Sequence, residues 1–281
     1  MKTFSKIVLV ILFVLLFLIG FFFTTDRIFY NHFIRQSKQI RAQQEHADTA
    51  VITEENLASV PESIARYLRY SGIAGKKRIN AVRVTHSGSF RPGADKEFFS
   101  IFGEYYLTAD KPSFYWYGKI SMAPGLTVTA CDSYYKGEGR MVIKLMSAFK
   151  IADDSSAVTD MSAFGRLITE MTMIPSFFLD TTRISWTSYD STHAEFVVRD
   201  AGLETTGQFF CHADGSPEKI IVNRYYSRDD GSPTCEKFTG KMKGSKNFGG
   251  LNLPEVFDGY WNFKEGDLHY VHFVIESAEW E

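Results

Sequence analysis

Apolar residues are distributed unevenly along this chain. Ile7 to Phe23 is an uninterrupted apolar run that follows Lys2 and Lys6. A helix rising about 1.5 Å per residue would make this run about 25 Å long, close to the roughly 30 Å hydrocarbon core of a bilayer. We therefore expect residues 1–25 to form one N-terminal transmembrane helix, in contact with the lipid bilayer through Ile7–Phe23.

A cleaved secretory signal has a similar start, but its apolar core usually ends after about 7–15 residues and is followed by small residues. Here the apolar run continues through Phe23 into Thr24-Thr25-Asp26-Arg27, with no Ala-x-Ala pattern. The first cysteine is Cys131, far from this segment, which excludes lipoprotein processing. We interpret the segment as an uncleaved anchor.

The orientation follows from the basic residues around the anchor. Lys2 and Lys6 favour a cytoplasmic N-terminus, whereas the basic residues Arg27, Arg35, Lys38 and Arg41 on the other flank oppose it. Long domains translocate largely regardless of such charges. We expect a single-pass protein of the inner (cytoplasmic) membrane, with its soluble domain outside the cytoplasm.

Residues 26–55 connect the anchor to a domain predicted to span residues 56–281. Phe29 and Phe33 are four residues apart, as are Tyr30 and Ile34, which gives one apolar face to a helix. This predicts a helical stalk at or just above the membrane surface, with a solvated, flexible linker as the alternative.

The period of the apolar pattern changes from helix to strand after Gly72. Turn-forming segments such as Ala123-Pro124-Gly125 separate the strand-like runs. These runs are Ile79–Phe90, Phe98–Leu107, Ser113–Met122, Thr127–Tyr135, Arg140–Phe149, Arg183–Tyr189, Ala194–Arg199, Glu204–His212, Lys219–Tyr226, Glu236–Lys243, Leu253–Phe263 and His269–Ala278. Between them, Asp160–Ile174 has helical spacing, with Asp160 as the expected N-cap. The pattern predicts a mainly β, antiparallel domain whose sheet packs on, or curls around, this mid-chain helix.

Aromatic residues are frequent, with 25 Phe, 14 Tyr and 4 Trp in the chain. In Phe98–Tyr106 and Phe114–Tyr117 they are nearly contiguous, so their rings must lie on both faces of a sheet. Both faces then need a cover, which could be the helix, the membrane or a ligand. This pattern favours a lipophilic cavity, and a core packed by protein on both faces is the alternative.

Few residues suggest chemistry. Arg166 and Glu170 share one face of the predicted helix and, with Asp132 and Glu138, could hold a ligand head group or form an ordinary salt bridge. His269 and His272 are three apart and would point to opposite faces of a strand, so we expect no metal site. No nucleophile or phosphate-loop motif occurs, and no catalytic residue or cofactor is predicted.

Charge and cysteine content narrow the classes of protein further. The formal net charge of −2 gives no reason to expect a nucleic-acid partner. The three cysteines, Cys131, Cys211 and Cys235, form no C-x-x-C motif and indicate no disulfide framework. One disulfide among them could form in three ways, and the sequence does not choose between these pairings.

A set of short motifs resembles a bacterial family of uncharacterised proteins of the DUF6544 or DUF6920 type. The motifs occur in the order Val60-Pro61, Arg66-Tyr67-Leu68, Phe114-x-Trp116, Met122-Ala123-Pro124-Gly125-Leu126, Asp132-Ser133-Tyr134, Gly137-x-Gly139-x-Met141, Arg166-Leu167-x-x-Glu170, Pro175, Trp186, Asp214-Gly215, Arg224-Tyr225 and Gly250-x-x-x-Pro254. The family has no established activity. Its pattern is similar to that of LolA/LolB-like half-barrels, which implies a strongly curved sheet with the mid-chain helix packed on it.

Together these observations predict a membrane-anchored extracytoplasmic protein that binds a lipid or another apolar molecule. An envelope sensor or assembly factor that docks a protein partner is one alternative, and an enzyme using Arg166, Glu170 and Asp132 is another. For the binding protein, we expect Phe114 and Trp116 on the concave wall and Arg166 hydrated at the rim near Glu170. The helix closing the cavity would contribute Phe164, Leu167 and Met171.

Overall fold

The computed structural model describes residues 2–44, 50–228 and 230–280. Its first element is one unbroken helix, α1 (Lys2–Ala42). This helix is long and apolar enough to cross a membrane, and its most apolar stretch is not buried against the rest of the protein. Residues 2–25 of the expected anchor and residues 26–42 of the expected stalk are therefore parts of one continuous helix, and residues 45–49 of the stalk lie outside the described residues.

Two short helices open the domain. In α2 (Glu54–Leu57), Thr53 and Asn56 form a reciprocal capping box. Helix α3 (Glu62–Ser71) begins after Pro61 and ends at Gly72, whose φ of 74° is a left-handed conformation that glycine adopts without strain. Tyr67 of α3 is fully buried and donates a hydrogen bond of 2.6 Å to the Thr172 carbonyl.

The main body of the described residues is one 13-stranded antiparallel sheet curled into a half-barrel. Its strands are spatially ordered β6-β5-β4-β3-β2-β1-β15-β14-β11-β10-β9-β8-β7, and β12 and β13 form a separate hairpin. The strands are β1 (Ala81–Phe90), β2 (Phe99–Thr108), β3 (Ser113–Ala123), β4 (Leu126–Tyr135), β5 (Glu138–Leu145), β6 (Phe149–Asp154), β7 (Ile184–Tyr189), β8 (His193–Asp200), β9 (Leu203–Cys211), β10 (Pro217–Ser227), β11 (Pro233–Lys243), β12 (Lys246–Phe248), β13 (Leu251–Leu253), β14 (Val256–Phe263) and β15 (Gly266–Trp280). The predicted mainly β, antiparallel half-barrel is confirmed.

The mid-chain helix α4 (Ala157–Glu170) connects the two edges of this sheet. It follows β6 at one edge, and two 3₁₀ turns, Met171–Met173 and Pro175–Leu179, lead from it to β7 at the other edge. Its residues contact β4 and β5 on one side and β9 and β10 on the other. A chain that must cross from edge to edge covers the concave face on its way, which places α4 over the core.

Some predicted boundaries were wrong for local reasons. The N-cap of α4 is Ser156, whose hydroxyl accepts the Thr159 N–H, whereas the Asp160 side chain accepts the Gly139 N–H at 2.7 Å. The predicted strand Arg140–Phe149 is interrupted at Met146 and Ser147, which have φ values of 52° and 57°. Neither residue is typical of a left-handed turn, so the sequence did not indicate the separate strand β6.

The predicted strand Leu253–Phe263 is also divided, into β13 and β14. Pro254 lies between them and has no N–H to donate to a ladder. The hairpin of β12 and β13 was not predicted, because three-residue strands are too short to show an alternating pattern.

The second half of α1 lies on the convex face of the sheet. Phe29 and Phe33 are buried there, in a cluster with Tyr117 and Cys131 that also includes Tyr106 and Tyr115 at its edge. Polar contacts flank the cluster: Tyr30 donates to Glu104 at 2.8 Å, and Lys119 donates to Asp26 at 2.9 Å. The stalk thus lies against the domain, and its position at or just above the membrane surface stays a prediction. It covers the outward rings of the aromatic strands, while the concave core covers the inward ones.

Candidate functional site

A cavity of about 460 Å³ lies between α4 and the concave face of the sheet. Its wall is mainly aromatic and aliphatic, with side chains from both halves of the sheet: Phe90, Ile101, Phe114, Trp116, Ile120, Val128, Phe238, Phe257, Trp261, Val271 and Phe273. A second depression of about 690 Å³, where the end of α1 meets β1, is more open and has basic side chains such as Lys38 and Arg78 in its wall. The more enclosed, mainly apolar cavity is the candidate site.

Trp116 and Phe114 line this cavity, as the alternation along β3 predicts. The Trp116 indole N–H donates to His86 Nε2 at 3.0 Å. The indole also extends along its own strand, so a Cβ atom on Gly118 would lie only 2.1 Å from the ring. Gly118 is therefore required for this position of the tryptophan.

His86 orients Trp116 and was missed in the sequence. It is fully buried on β1, and burial, with Arg166 nearby, lowers its pKa to about 3. The neutral imidazole accepts the indole hydrogen bond. The alternation Val82, Val84, His86 was a signal that this side chain faces inward, and Gly103 opposite it on β2 leaves room for the ring.

Arg166 lies inside the cavity wall, and the predicted position at a hydrated rim was wrong. It donates to Asp132 at 2.6 Å and to Glu170 at 2.8 Å, and its guanidinium lies over the rings of Trp116 and Phe114 at 4.6 and 5.1 Å. Only 13% of its side chain is exposed. Pairing with these two carboxylates makes the burial of the cation tolerable. Glu138 is exposed and does not join this group.

The carboxylates of this group are only partly satisfied. Asp132 Oδ1 and Glu170 Oε2 are buried and have no hydrogen-bond partner in the described part of the chain. Burial raises the pKa of Asp132, although Arg166 acts in the opposite direction. The site therefore combines an apolar wall with a polar cluster whose local charge depends on protonation.

Phe164, Leu167 and Met171 do not close the cavity as predicted. All three are fully buried in the main core, and Phe164 stacks on Tyr134 with ring centroids 5.4 Å apart. The stripe of α4 that faces the cavity instead consists mostly of small or polar residues: Val158, Thr159, Ser162, Ala163, Arg166, Thr169 and Glu170. The large apolar residues lie on another face, because the helix buries two sides in this fold.

Arg224 of β10 is a second cation in the cavity wall and was not among the predicted site residues. Its Nε donates to the Ser162 carbonyl at 3.2 Å, and its guanidinium lies over Phe238 at 4.5 Å and Trp261 at 5.0 Å. Burial, reinforced by Arg166, lowers its pKa to about 10, so it remains charged at neutral pH. Gly165 of α4 allows this approach, since a Cβ there would lie 2.5 Å from Arg224 Cγ.

The convex face of β14 and β15 carries a cluster that the sequence did not predict. Asp258 Oδ1 lies 2.7 Å from His272 Nδ1 and 3.2 Å from His269 Nε2. The two histidines were expected on opposite faces, but β15 has an extra residue, Tyr270, opposite the Gly259–Tyr260 step of β14. This bulge brings His269 and His272 to the same face.

Two imidazoles and a carboxylate are ligands that suit a divalent first-row metal, and their ligand atoms lie within 4.8 Å of one another. However, Lys243 donates to Asp258 Oδ2 at 2.9 Å, and His269 Nε2 also contacts the Val271 carbonyl at 3.1 Å. These contacts already explain the cluster as a network of ion pairs and hydrogen bonds, on the face opposite the cavity.

Two solved structures are similar in arrangement. A DUF1329 family protein from Desulfovibrio piger ATCC 29098 is 8% identical, with a TM-score of 0.40, and the match covers 83% of this chain and 94% of that one. A LolA superfamily protein from Nitrosomonas europaea is 9% identical, with a TM-score of 0.34 and the same coverage of both chains. No curated protein sequence matches this chain.

The family assignment rests on the sequence of the domain. The family described as "Family of unknown function (DUF6544)" matches residues 50–273, which include the whole sheet except the end of β15. This confirms the resemblance drawn from the ordered motifs, and the chain belongs to the DUF6544 family.

Proposed function

We propose that this protein is a membrane-anchored binding protein that holds a lipid or another apolar molecule in the cavity beneath α4. The observation that carries this proposal is the cavity itself. Its volume of about 460 Å³ is within the range of small-molecule sites, roughly 300–1,000 Å³, and its apolar wall with a few convergent polar groups is typical of them.

The energetics support a ligand in this space. The cavity is partly open to solvent, and its wall is mainly apolar. Removing apolar surface from water is favourable by about 25 cal/mol per Å². An apolar molecule that fills the cavity would therefore gain free energy by covering this wall.

The anchor is proposed to hold the domain outside the cytoplasm, on the basis of Lys2 and Lys6 and the absence of a cleavage pattern. Alkaline phosphatase and a fluorescent protein, each fused after the last residue, would report the topology. We expect active phosphatase and a weak cytoplasmic fluorescence signal. Inactive phosphatase with bright cytoplasmic fluorescence would contradict this orientation.

Ligand binding is tested with the full chain purified in detergent. Native mass spectrometry and solvent extraction would identify a copurifying apolar molecule in the wild type. In Trp116→Ala we expect a reduced content of this molecule, because the variant removes a large part of the apolar wall. A matched control is Trp186→Ala, which removes a partly buried tryptophan that packs on Phe196 away from the cavity.

Melting temperatures separate binding from folding. Deletion of the buried Trp116 should cost about 3–5 kcal/mol and deletion of the partly buried Trp186 somewhat less, so both variants are expected to melt at lower temperatures. Only Trp116→Ala should lose ligand relative to the amount of folded protein. A wild type without any bound molecule, or equal ligand content in both variants, would overturn the proposal.

A further inference from the structure

Arg224 carries a positive charge inside the cavity that no carboxylate of the described chain pairs with directly. We propose that the ligand is an amphiphile with an anionic head group, a carboxylate or a phosphate, and that Arg224 binds this head group. This inference rests on the proposed function, because it concerns the polar end of the molecule held in the cavity.

The geometry of Arg224 supports this role. The hydrogen bond described for its side chain runs from Nε to the Ser162 carbonyl. The Nη donors are therefore available to a ligand. Phe238 and Trp261 hold the guanidinium plane through their ring faces. Burying an unpaired charge is costly, and a guanidinium matches a carboxylate or phosphate with two parallel hydrogen bonds.

Arg166 shows the contrast within the same cavity. Its guanidinium forms ion pairs with both Asp132 and Glu170. No ion pair of this kind reaches Arg224 from residues 2–44, 50–228 or 230–280. Arg166 is therefore paired with carboxylates of the protein, whereas the charge of Arg224 is available to a ligand.

Two carboxylates, Asp132 and Glu170, lie near this site, and they repel an anion less than two free negative charges would. Asp132 and Glu170 each direct one oxygen to Arg166. Burial also favours the protonated form of Asp132, whose pKa is raised. The hydroxyl of Tyr270 is an additional donor on the same wall, where its ring lies 6.2 Å from that of Trp261.

Single-chain probes that differ only in the head group test the inference. The full chain, freed of copurified lipid in a non-ionic detergent, is titrated with hexadecanoate, hexadecyl phosphate, hexadecanol and hexadecylamine, with tryptophan fluorescence as the readout. A hydrogen bond to a charged group corresponds to about a tenfold to hundredfold gain in affinity. We expect the two anions to bind at least about tenfold more tightly than the alcohol, and the amine not to exceed the alcohol.

Variants assign the effect to one residue. Arg224→Gln should lower the affinity for both anions by at least about tenfold and leave the affinity for hexadecanol nearly unchanged. Arg199→Gln is the matched control, because Arg199 of β8 forms an exposed ion pair with Glu204 of β9 and does not line the cavity. Its affinities should equal those of the wild type, and melting curves confirm that both variants are folded.

The outcomes are distinguishable. If no probe with an apolar chain binds, the proposed function fails, and the head-group inference fails with it. If hexadecanol binds as tightly as the anions, if hexadecylamine binds more tightly, or if Arg224→Gln binds hexadecanoate like the wild type, the inference fails while the binding function stands. Acetate and inorganic phosphate are tested alone, and tight binding of either would show a site for free anions instead of amphiphiles.

Discussion

The docking of α1 on the convex face can be tested through one side chain, Phe33. This residue is fully buried, with ring centroids 5.8 Å from Tyr117 and 6.1 Å from Tyr106. A Phe→Ala substitution in a core costs about 3–5 kcal/mol. Taking about 3 kcal/mol for a site between a helix and a sheet surface, the equilibrium for detachment of the helix should rise more than about a hundredfold.

The three free cysteines provide the assay. Cys131 is buried in the same cluster as Phe33, Cys211 is buried where its thiol donates to the Ser63 carbonyl, and Cys235 is exposed. Burial raises the pKa of the Cys131 thiol, which further slows its alkylation in the docked state. In Phe33→Ala, alkylation of Cys131 should accelerate about a hundredfold, while Cys211 stays protected and Cys235 reacts at the wild-type rate.

The control is Ile28→Ala on the same helix, because the Ile28 side chain is 64% exposed. This variant should leave all three alkylation rates unchanged. An unaltered rate at Cys131 in Phe33→Ala would refute the docked position of the helix. Parallel acceleration at Cys131 and Cys211 would mean that the domain unfolds as a whole, and that the helix does not open as a separate unit.

Three further predictions concern the domain. Tyr67→Phe should destabilise it by about 1–3 kcal/mol in urea denaturation, because the Thr172 carbonyl would lose its buried donor, whereas Tyr70→Phe on the same helix should have little effect. Gly118→Ala should lower stability by about 1–3 kcal/mol and disturb the near-ultraviolet signal of Trp116, since the new Cβ would collide with the indole; an unchanged spectrum would count against the indole position. The Thr159 hydroxyl lowers the pKa of Asp154, so this carboxylate stabilises the fold above its unfolded pKa, and the contribution is lost as the pH falls through its folded pKa. Between about pH 5 and pH 2, the melting temperature of Asp154→Asn should therefore fall less than that of the wild type. Identical dependence of the melting temperature on pH in both proteins would argue against the contact between Thr159 and Asp154.

The sheet could be predicted from the sequence because its signals are local. Alternating apolar residues mark the strands, and segments such as Ala123-Pro124-Gly125 mark the turns between them. The turn at Met146 and Ser147 was missed because neither residue favours the left-handed conformation that both adopt there, between the paired strands β5 and β6. Contiguous aromatic residues correctly indicated that both faces of the sheet are covered. They could not indicate that α1 covers the convex one.

The candidate site was less predictable because its geometry comes from contacts between distant segments. The strand period was sufficient to place Phe114 and Trp116 on the concave wall. The depth of Arg166 depends on which stripe of α4 faces the sheet, and the position of Arg224 in the cavity wall depends on the crossing of α4 over β10. The pairing of His269 with His272 depends on a bulge of one residue. None of these relations has a signature in a single stretch of sequence.

In the proposed arrangement, in which α1 anchors the protein in a bilayer, the absence of any break in this helix restricts how the domain can move. Asp26 lies three residues after Phe23, the end of the apolar run, and already contacts Lys119 of the sheet, so only about 4.5 Å of helix separates the two points. A helix of this length has no slack, and the proposed anchor would therefore hold the half-barrel close to the bilayer. A molecule bound in the proposed site would be exchanged near the bilayer surface. Transfer across a wider gap would first require the helix to detach from the convex face.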